Sequence, residues 1–109
     1  MDHFPTEAIH AGEERRKPYG SLTTPIVQSS TFTFADSAEI EDFMQRKAAG
    51  ASTVRDEYGR YSNPTLRAAE SKLAVLEGGE QALLFSSGMN AITTTMLALL
   101  SAGDHVVLA

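Results

Sequence analysis

The chain has 109 residues, of which 42% are hydrophobic, so it is long enough to bury a core and form one small domain. Its formal net charge is −5, and its nine Lys and Arg are scattered apart from one run at residues 15–17, which argues against nucleic acid as the main partner. It has no cysteine, which excludes disulfides, thiolate metal ligands and a thiol nucleophile within this chain.

Residues 1–57 are predicted to form an arm followed by one short helix. Residues 1–18 are charged and lack a sustained apolar face, so we expect an irregular arm that needs a surface to lie on. Residues 19–34 are rich in Ser, Thr and β-branched residues, which favour an extended linker with one short strand. Residues 1–7 are polar and acidic, unlike a secretory signal or a transit peptide, and this predicts a cytoplasmic protein.

A helix and a loop follow this linker. Asp36, with Glu39 three residues later, is a capping box, which predicts a short amphipathic helix that ends at Gly50. The helix presents one face at helical spacing, formed by Ile40, Phe43, Met44 and the stem of Lys47. Residues 51–62 have no apolar periodicity, so we predict a loop that is unusually aromatic.

A second helix is predicted to begin at Asn63. Asn is a favourable N-cap, and Pro64 suits the first helical position because its missing N–H is not required there. The pair Gly78–Gly79 is expected to stop the helix. Its apolar face is predicted to consist of Leu66, Ala69, Leu73 and Leu76.

The last part of the chain predicts a strand, a helix and a second strand. Residues 82–85 are fully apolar, as in a strand buried on both faces, and residues 89–100 predict a mostly buried helix. Residues 105–109 begin another strand. This βαβ order predicts an α/β fold with a parallel or mixed sheet. Two parallel strands have unprotected edges and little cover, so we expect the sheet and the chain to continue beyond Ala109.

The turn between the first strand and the following helix is a candidate anion site. Free backbone N–H groups and the helix dipole at Ser86–Met89 favour an anion such as a phosphate, and Gly88 permits close approach. The alternative is an ordinary small-residue turn that only starts a helix. The chain contains neither a nucleotide P-loop nor a dinucleotide-binding glycine pattern, and Phe85 stands where a serine-hydrolase elbow requires Gly.

Tyr58 and Arg60 form a second candidate site. Residues two apart in an extended loop point the same way, so the phenol and the guanidinium are expected to lie together and to suit phosphate oxygens. The alternative is that Arg60 pairs with Glu57 at a solvated surface while Tyr58 and Tyr61 pack.

Neither a metal site nor a reactive amine is predicted. The histidines lie far apart in sequence and lack partners at metal-binding spacing; they are His3, His10 and His105. No lysine has the buried setting that covalent catalysis by an amine needs; the lysines are Lys17, Lys47 and Lys72.

Five short strings occur along the chain: Ala8–Gly12, Thr24–Ile26, Tyr58–Thr65, Leu76–Gly79 and Ser86–Met89. Together they resemble the start of the pyridoxal-phosphate-dependent enzymes of cysteine and methionine metabolism. The resemblance extends over nearly all of this chain, which would be only the first part of such an enzyme.

The resemblance implies a fold-type I enzyme, similar to aspartate aminotransferase, with pyridoxal 5'-phosphate as its cofactor. Residues 1–57 would be an arm and a short helix that embrace a partner subunit. Residues 58–109 would begin the large α/β domain that binds the cofactor. The protein would be a homodimer or homotetramer that acts on an amino-acid substrate.

The resemblance also implies roles for four residues. The backbone N–H groups of Gly88 and Met89 would hold the cofactor phosphate, and Tyr58 and Arg60 would reach the phosphate in the neighbouring subunit. In this family the lysine that carries the cofactor, the acid facing the pyridine nitrogen and the anchor for the substrate carboxylate come later in the sequence. No catalytic residue is therefore assigned here, and this piece alone is expected to be inactive.

Within the family, the string Glu57–Tyr61 is more similar to that of the cystathionine γ-synthases than to that of the lyases. A γ-synthase replaces the activated hydroxyl of homoserine with cysteine during methionine biosynthesis. The alternatives are a cystathionine lyase, a methionine γ-lyase or an O-acylhomoserine sulfhydrylase. An alternative from another class is a non-catalytic phosphate-binding module.

Overall fold

The computed structural model describes residues 4–51 and 55–107. Its helices are, in chain order, α1 (Phe4–His10), a 3-10 helix (Pro18–Gly20), α2 (Ser37–Ala48), α3 (Pro64–Glu77) and α4 (Gly88–Leu99). Strand pairing among the described residues is confined to one isolated antiparallel bridge between Thr31 and Tyr58. Within these residues, no helix has both the length and the apolar character needed to cross a bilayer.

Helix α2 begins at the predicted capping box. Oδ1 of Asp36 accepts a hydrogen bond from the N–H of Glu39 at 2.9 Å, and Oε2 of Glu39 accepts one from the N–H of Ala35 at 2.6 Å. Phe43 is buried on the predicted apolar face, and the ring of Phe34 packs edge-on against it with 5.4 Å between ring centroids. The prediction of this helix is confirmed.

The first turn of α3 is tied to the extended segment that precedes α2. Asn63 is the N-cap, because its Oδ1 accepts from the N–H of Thr65 at 2.8 Å, and Pro64 occupies the first turn. The side-chain amide of Asn63 also donates to the carbonyl of Val27 at 3.0 Å, while the N–H of Val27 donates to the hydroxyl of Thr65 at 2.8 Å. The predicted start is confirmed, and the helix ends at Gly78 as predicted.

The start of the arm is helical, so the prediction of an irregular segment is wrong for residues 4–10. Helix α1 packs against α3, and Nζ of Lys72 donates to the carbonyl of Ile9 at 2.9 Å. Gly12, two residues after α1, lies so close to α3 that a Cβ on it would be 2.4 Å from the backbone N of Lys72. Seven residues are too few for a stable isolated helix, so contact with α3 supplies the stability that the arm sequence lacks.

The arm covers a different side of α3 from the predicted apolar face. Ala74 is the buried residue of this helix, whereas Leu73 on the predicted face is 40% exposed. Gly12 approaches the backbone beside Ala68 and Ser71, whose side chains are small. Close backbone contact thus decides where the arm lies, and the predicted leucine face remains partly open.

Glu13 forms ion pairs within the arm and between the arm and α3. Its carboxylate lies 3.1 Å from Nζ of Lys17 and 3.5 Å from Nζ of Lys72. The hydrogen bond and the positive charge of Lys17, with a further contribution from Lys72, hold the pKa of Glu13 below its ordinary value. The predicted need of the arm for a surface is met by α3 of the same chain, and its contact with a partner subunit stays a prediction.

The two predicted strands form no ladder within the described residues. Residues 82–85 and 105–107 are unpaired there, while Leu108 and Ala109 lie outside the described part. A strand forms ladder hydrogen bonds only with a neighbouring strand, and these segments are not placed beside one another as a pair. The N–H of Leu84 donates instead to Oε1 of Glu70 in α3 at 2.9 Å. The parallel or mixed sheet is therefore not confirmed.

Helix α4 lies where a helix was predicted, but it is not buried. None of its residues is buried, and Leu97 and Leu99 are 78% and 76% exposed. Among the described helices, only α1 and α3 contact each other, so no other helix covers α4. Burial was predicted from the apolar composition of α4, but a helix is buried only where another part of the structure packs against it.

Candidate functional site

Tyr58 and Arg60 lie in a tight turn at the end of a short antiparallel pairing. The backbone beside Tyr58 pairs with residues 30–32 through two hydrogen bonds of 3.1 and 2.8 Å. The N–H of Tyr61 then donates back to the carbonyl of Tyr58 at 2.9 Å, which reverses the chain. The assumption of an extended loop is therefore wrong at this point, although the two side chains do lie together.

The guanidinium of Arg60 rests against two aromatic rings. Its Cζ lies 5.1 Å from the ring centroid of Tyr58 and 5.8 Å from that of Tyr61, and the two rings meet edge to face at 6.1 Å. A cation at such distances from an aromatic ring is attracted to it. Tyr58 and Arg60 are both exposed, so an anion has access to the guanidinium from solvent.

In the described part of the chain, Arg60 has no carboxylate partner. Glu57 pairs with Lys47, so the alternative of an Arg60–Glu57 pair is wrong, although the packing of Tyr58 against Tyr61 from the same alternative is observed. The other described cations between positions 46 and 72 each pair with a carboxylate; they are Arg46, Lys47, Arg55, Arg67 and Lys72. The charge of Arg60 is thus available for an external anion.

An ion pair that was not predicted from the sequence lies beside the same turn, and its carboxylate is buried. Asp56 is 5% exposed, and both of its carboxylate oxygens accept from the guanidinium of Arg67, with Nη2 and Oδ2 2.8 Å apart. Nη1 of Arg67 also donates to Oγ of Ser62 at 3.0 Å. Opposite charges eleven residues apart were visible in the sequence, but the reversal that brings them together was not.

The start of α4 offers two uncommitted backbone donors. Oγ and the carbonyl of Ser87 accept from the N–H groups of Asn90 and Ala91, each at 3.1 Å. The N–H groups of Gly88 and Met89 come before these and have no acceptor among the described residues. A Cβ on Gly88 would meet no atom within 4 Å, so the approach to both groups is open. This end of the helix suits an anion.

The structure does not bring the two candidate pairs together within this chain. No hydrogen bond or ion pair among residues 4–51 and 55–107 links Tyr58 or Arg60 to Gly88 or Met89. Helix α4 also contacts none of the other described helices. The described chain therefore holds two candidate anion sites that no hydrogen bond or ion pair joins.

All three lysines are engaged in ion pairs. Lys17 and Lys72 share the carboxylate of Glu13, and Lys47 pairs with Glu57. The contacts of Lys17 and Lys72 with Glu13 hold the arm against α3. The contact of Lys47 with Glu57 holds α2 against the loop.

Comparison with known proteins identifies similar sequences. The family model described as Cys/Met metabolism PLP-dependent enzyme matches residues 5–109. Cystathionine gamma-synthase 1, chloroplastic, from Nicotiana tabacum is 44% identical over 102 residues, which cover 92% of this chain and 18% of that protein. An L-methionine gamma-lyase from Fusobacterium nucleatum subsp. polymorphum is 46% identical over 106 residues, which cover 94% of this chain and 24% of that protein.

The backbone is also similar to a solved structure. The crystal structure of metB from Corynebacterium glutamicum matches with a TM-score of 0.73 and 37% sequence identity, covering 94% of this chain and 23% of that chain. The chain thus spans between 18% and 24% of the length of these three relatives.

Proposed function

Because the chain belongs to the family of Cys/Met metabolism PLP-dependent enzymes, we propose that it is the N-terminal part of a trans-sulfuration enzyme. Enzymes of this family use pyridoxal phosphate, which supplies an electron sink for reactions of an amino-acid substrate. The observation that carries the proposal is the guanidinium of Arg60, which lies against Tyr58 and has no carboxylate partner among the described residues.

The residues present fit the phosphate of this cofactor. Gly88 and Met89 contribute two backbone N–H groups at the positive end of α4, and the missing side chain of Gly88 leaves them accessible. Arg60 contributes a charged fork of donors, and Tyr58 contributes a phenol hydroxyl. We assign these four residues to cofactor binding, in which they hold and orient the phosphate.

We assign the two pairs to different cofactor sites. Gly88 and Met89 would serve the cofactor of their own subunit, since they start a helix of the cofactor-binding domain proposed for residues 58–109. Tyr58 and Arg60 would serve the neighbouring subunit of a homodimer or homotetramer, which residues 1–57 would embrace. The support for this division is that no hydrogen bond or ion pair joins the two pairs within the described chain.

The proposed reaction is the replacement of the activated hydroxyl of homoserine with cysteine, as catalysed by a cystathionine γ-synthase. The string Glu57–Tyr61 supports this choice. Overall identity supports a methionine γ-lyase equally well, since it is 44% to the synthase and 46% to the lyase. Feeding the full-length protein O-acylhomoserine with cysteine, or methionine alone, separates the two: the first yields cystathionine and the second releases methanethiol.

This chain is proposed to bind and orient, and the remainder of the protein to supply the chemistry. We propose that the lysine that carries the cofactor comes from elsewhere in the sequence, and the engagement of each lysine here with a carboxylate supports this. We therefore expect the 109-residue piece alone to be inactive.

Replacing Arg60 with Ala in the full-length protein tests the proposal. The charged hydrogen bonds of a guanidinium to phosphate are worth about 1.5–3 kcal/mol, so the dissociation constant of the cofactor should rise about tenfold to a hundredfold. Titration of the apo-protein followed by cofactor absorbance measures this constant. Arg60→Lys keeps the charge but loses the fork, and it should give an intermediate value.

A matched control is Arg46→Ala, because Arg46 also carries an exposed guanidinium but pairs with Asp42 on the surface of α2. This variant should bind the cofactor as the parent protein does. Unchanged cofactor affinity in Arg60→Ala would refute the phosphate-binding role.

A further inference from the structure

We infer that Asp56 and Arg67 are positioning residues of the cofactor site, and this inference rests on the proposed role of Tyr58 and Arg60. The ion pair fixes the turn at residues 58–61 from both of its ends. It acts through the turn, holding Arg60 where the guanidinium meets the phosphate, and does not itself touch the cofactor.

One guanidinium joins the chain before the turn to the chain after it. Arg67 binds both carboxylate oxygens of Asp56, two residues ahead of Tyr58, and also Oγ of Ser62, directly behind the turn. A planar fork that makes three such bonds leaves the two ends of the turn little freedom to rotate.

The guanidinium is itself anchored in a fixed element. Arg67 lies in the first turn of α3, and Asn63 and Thr65 of that turn exchange hydrogen bonds of 3.0 and 2.8 Å with Val27. The backbone beside Tyr58 in turn pairs with residues 30–32. The turn is therefore held against a frame made of α3 and the extended segment that crosses it.

Burial of its carboxylate distinguishes this ion pair from the others, although the side chain of Arg67 is 39% exposed. The side chain of Asp56 is 3% exposed, whereas the carboxylate side chains of the other described ion pairs are 21% exposed or more. Exposed ion pairs contribute little, but a buried carboxylate that loses its cation is left without compensation for its lost hydration. Loss of the ion pair between Asp56 and Arg67 should therefore loosen the turn.

A loosened turn lowers cofactor affinity without removing any cofactor-binding group. Arg60 and Tyr58 would still be present, but they would have to be ordered at the moment of binding, and this ordering costs free energy. Because Arg60 makes the charged contact with the phosphate, the effect of Asp56 on cofactor retention should become much smaller once Arg60 is removed.

The test uses Asp56→Asn in the full-length protein, since Asn has the same shape but no charge. We expect the dissociation constant of pyridoxal phosphate to rise about tenfold, in line with coupling between residues of one network. In an Arg60→Ala background, the same substitution should change the constant less than about twofold. Arg67→Lys, which keeps the charge but loses the fork, provides a second variant and should also weaken binding.

The matched control is Asp42→Asn, the same chemical change in the exposed pair with Arg46. It should leave cofactor affinity unchanged. Wild-type affinity in Asp56→Asn and Arg67→Lys, while Arg60→Ala loses the cofactor, would overturn this inference alone. An equal loss from Asp56→Asn with and without Arg60 would also overturn it, because it would indicate a purely structural role. Unchanged affinity in Arg60→Ala would overturn the proposed function and this inference together.

Discussion

Gly12 shows how closely the arm approaches α3. Its φ is 71°, a region that glycine favours, and a Cβ on it would lie 2.4 Å from the backbone N of Lys72. Gly12→Ala should therefore destabilise the docked arm by about 1–3 kcal/mol through backbone strain, with the clash adding to this cost. Hydrogen exchange of the full-length protein, followed by mass spectrometry on residues 4–17, should become faster in α1.

Gly20→Ala is the control that separates strain from clash. Gly20 has a similar φ of 65°, but no atom lies within 4 Å of where its Cβ would be. The substitution introduces the same kind of strain without displacing α3, so exchange in α1 should stay as in the parent protein. Equal acceleration in both variants would show that close backbone approach is not what holds the arm.

The N-cap of α3 links helix formation to the placement of the loop. Asn63 accepts from the N–H of Thr65 and donates to the carbonyl of Val27. Asn63→Ala removes both hydrogen bonds, and loss of the cap alone should cost about 1 kcal/mol. We expect a lower thermal unfolding midpoint and faster hydrogen exchange in the first turn of α3 in the full-length protein.

Asn63→Asp divides this effect into its two parts. Asp caps a helix about as well as Asn, but it cannot donate to the carbonyl of Val27. Exchange in the first turn should therefore lie closer to the parent protein than to Asn63→Ala. If Asp were as damaging as Ala, the tie to Val27 and not the cap would be the main contribution.

Helices whose start is encoded in a few adjacent residues were predicted from the sequence. The capping box at Asp36 and the Asn63–Pro64 pair each satisfy N–H groups within their own first turn, so local sequence suffices to find them. Helix α1 was missed because its stability comes from α3, more than fifty residues away in sequence, as the contact between Lys72 and Ile9 shows. Strand pairing was predicted without confirmation because a ladder depends on a neighbour that the pattern of one segment cannot specify.

The candidate site was predictable in composition but not in geometry. The spacing of Tyr58 and Arg60 predicted that their side chains lie together, and they do. Their role in binding phosphate was implied by the family resemblance and stays a prediction. The two side chains meet because the chain turns between them, and the backbone at the start of this turn pairs with residues 30–32. Sequence could not reveal that Lys47 would pair with Glu57, leaving Arg60 without a carboxylate among the described residues, because that pairing depends on how α2 lies beside the loop.

The exposed apolar surface of this chain argues that much of its packing involves other parts of the protein. Phe43 and Ala74 are the buried apolar residues of the described part, each 7% exposed, while α4 carries no buried residue. Burying apolar area is the main favourable term in folding, so two such side chains contribute little against the entropy of ordering the chain. We expect α4 to be covered by other parts of the full-length protein.

Hybrid oligomers test whether the two phosphate-binding pairs serve different subunits. One subunit carries Arg60→Ala, and its partner carries Gly88→Val, whose side chain has room in the fold but would cover the N–H groups of Gly88 and Met89. Differently tagged subunits allow the hybrid to be purified by two affinity steps. Cofactor content per oligomer, measured by absorbance, is then compared with that of each parent variant and of the wild type.

If each site combines Gly88 of one subunit with Arg60 of the other, the hybrid places both defects in one site and leaves the other site intact. Its cofactor content should then approach about half that of the wild type, because a two-fold dimer has two equivalent sites. If both pairs serve the same subunit, each site of the hybrid has one defect, and its content should match the parent variants. A hybrid of wild type with Arg60→Ala has one intact site under either arrangement, so it calibrates the expected half occupancy.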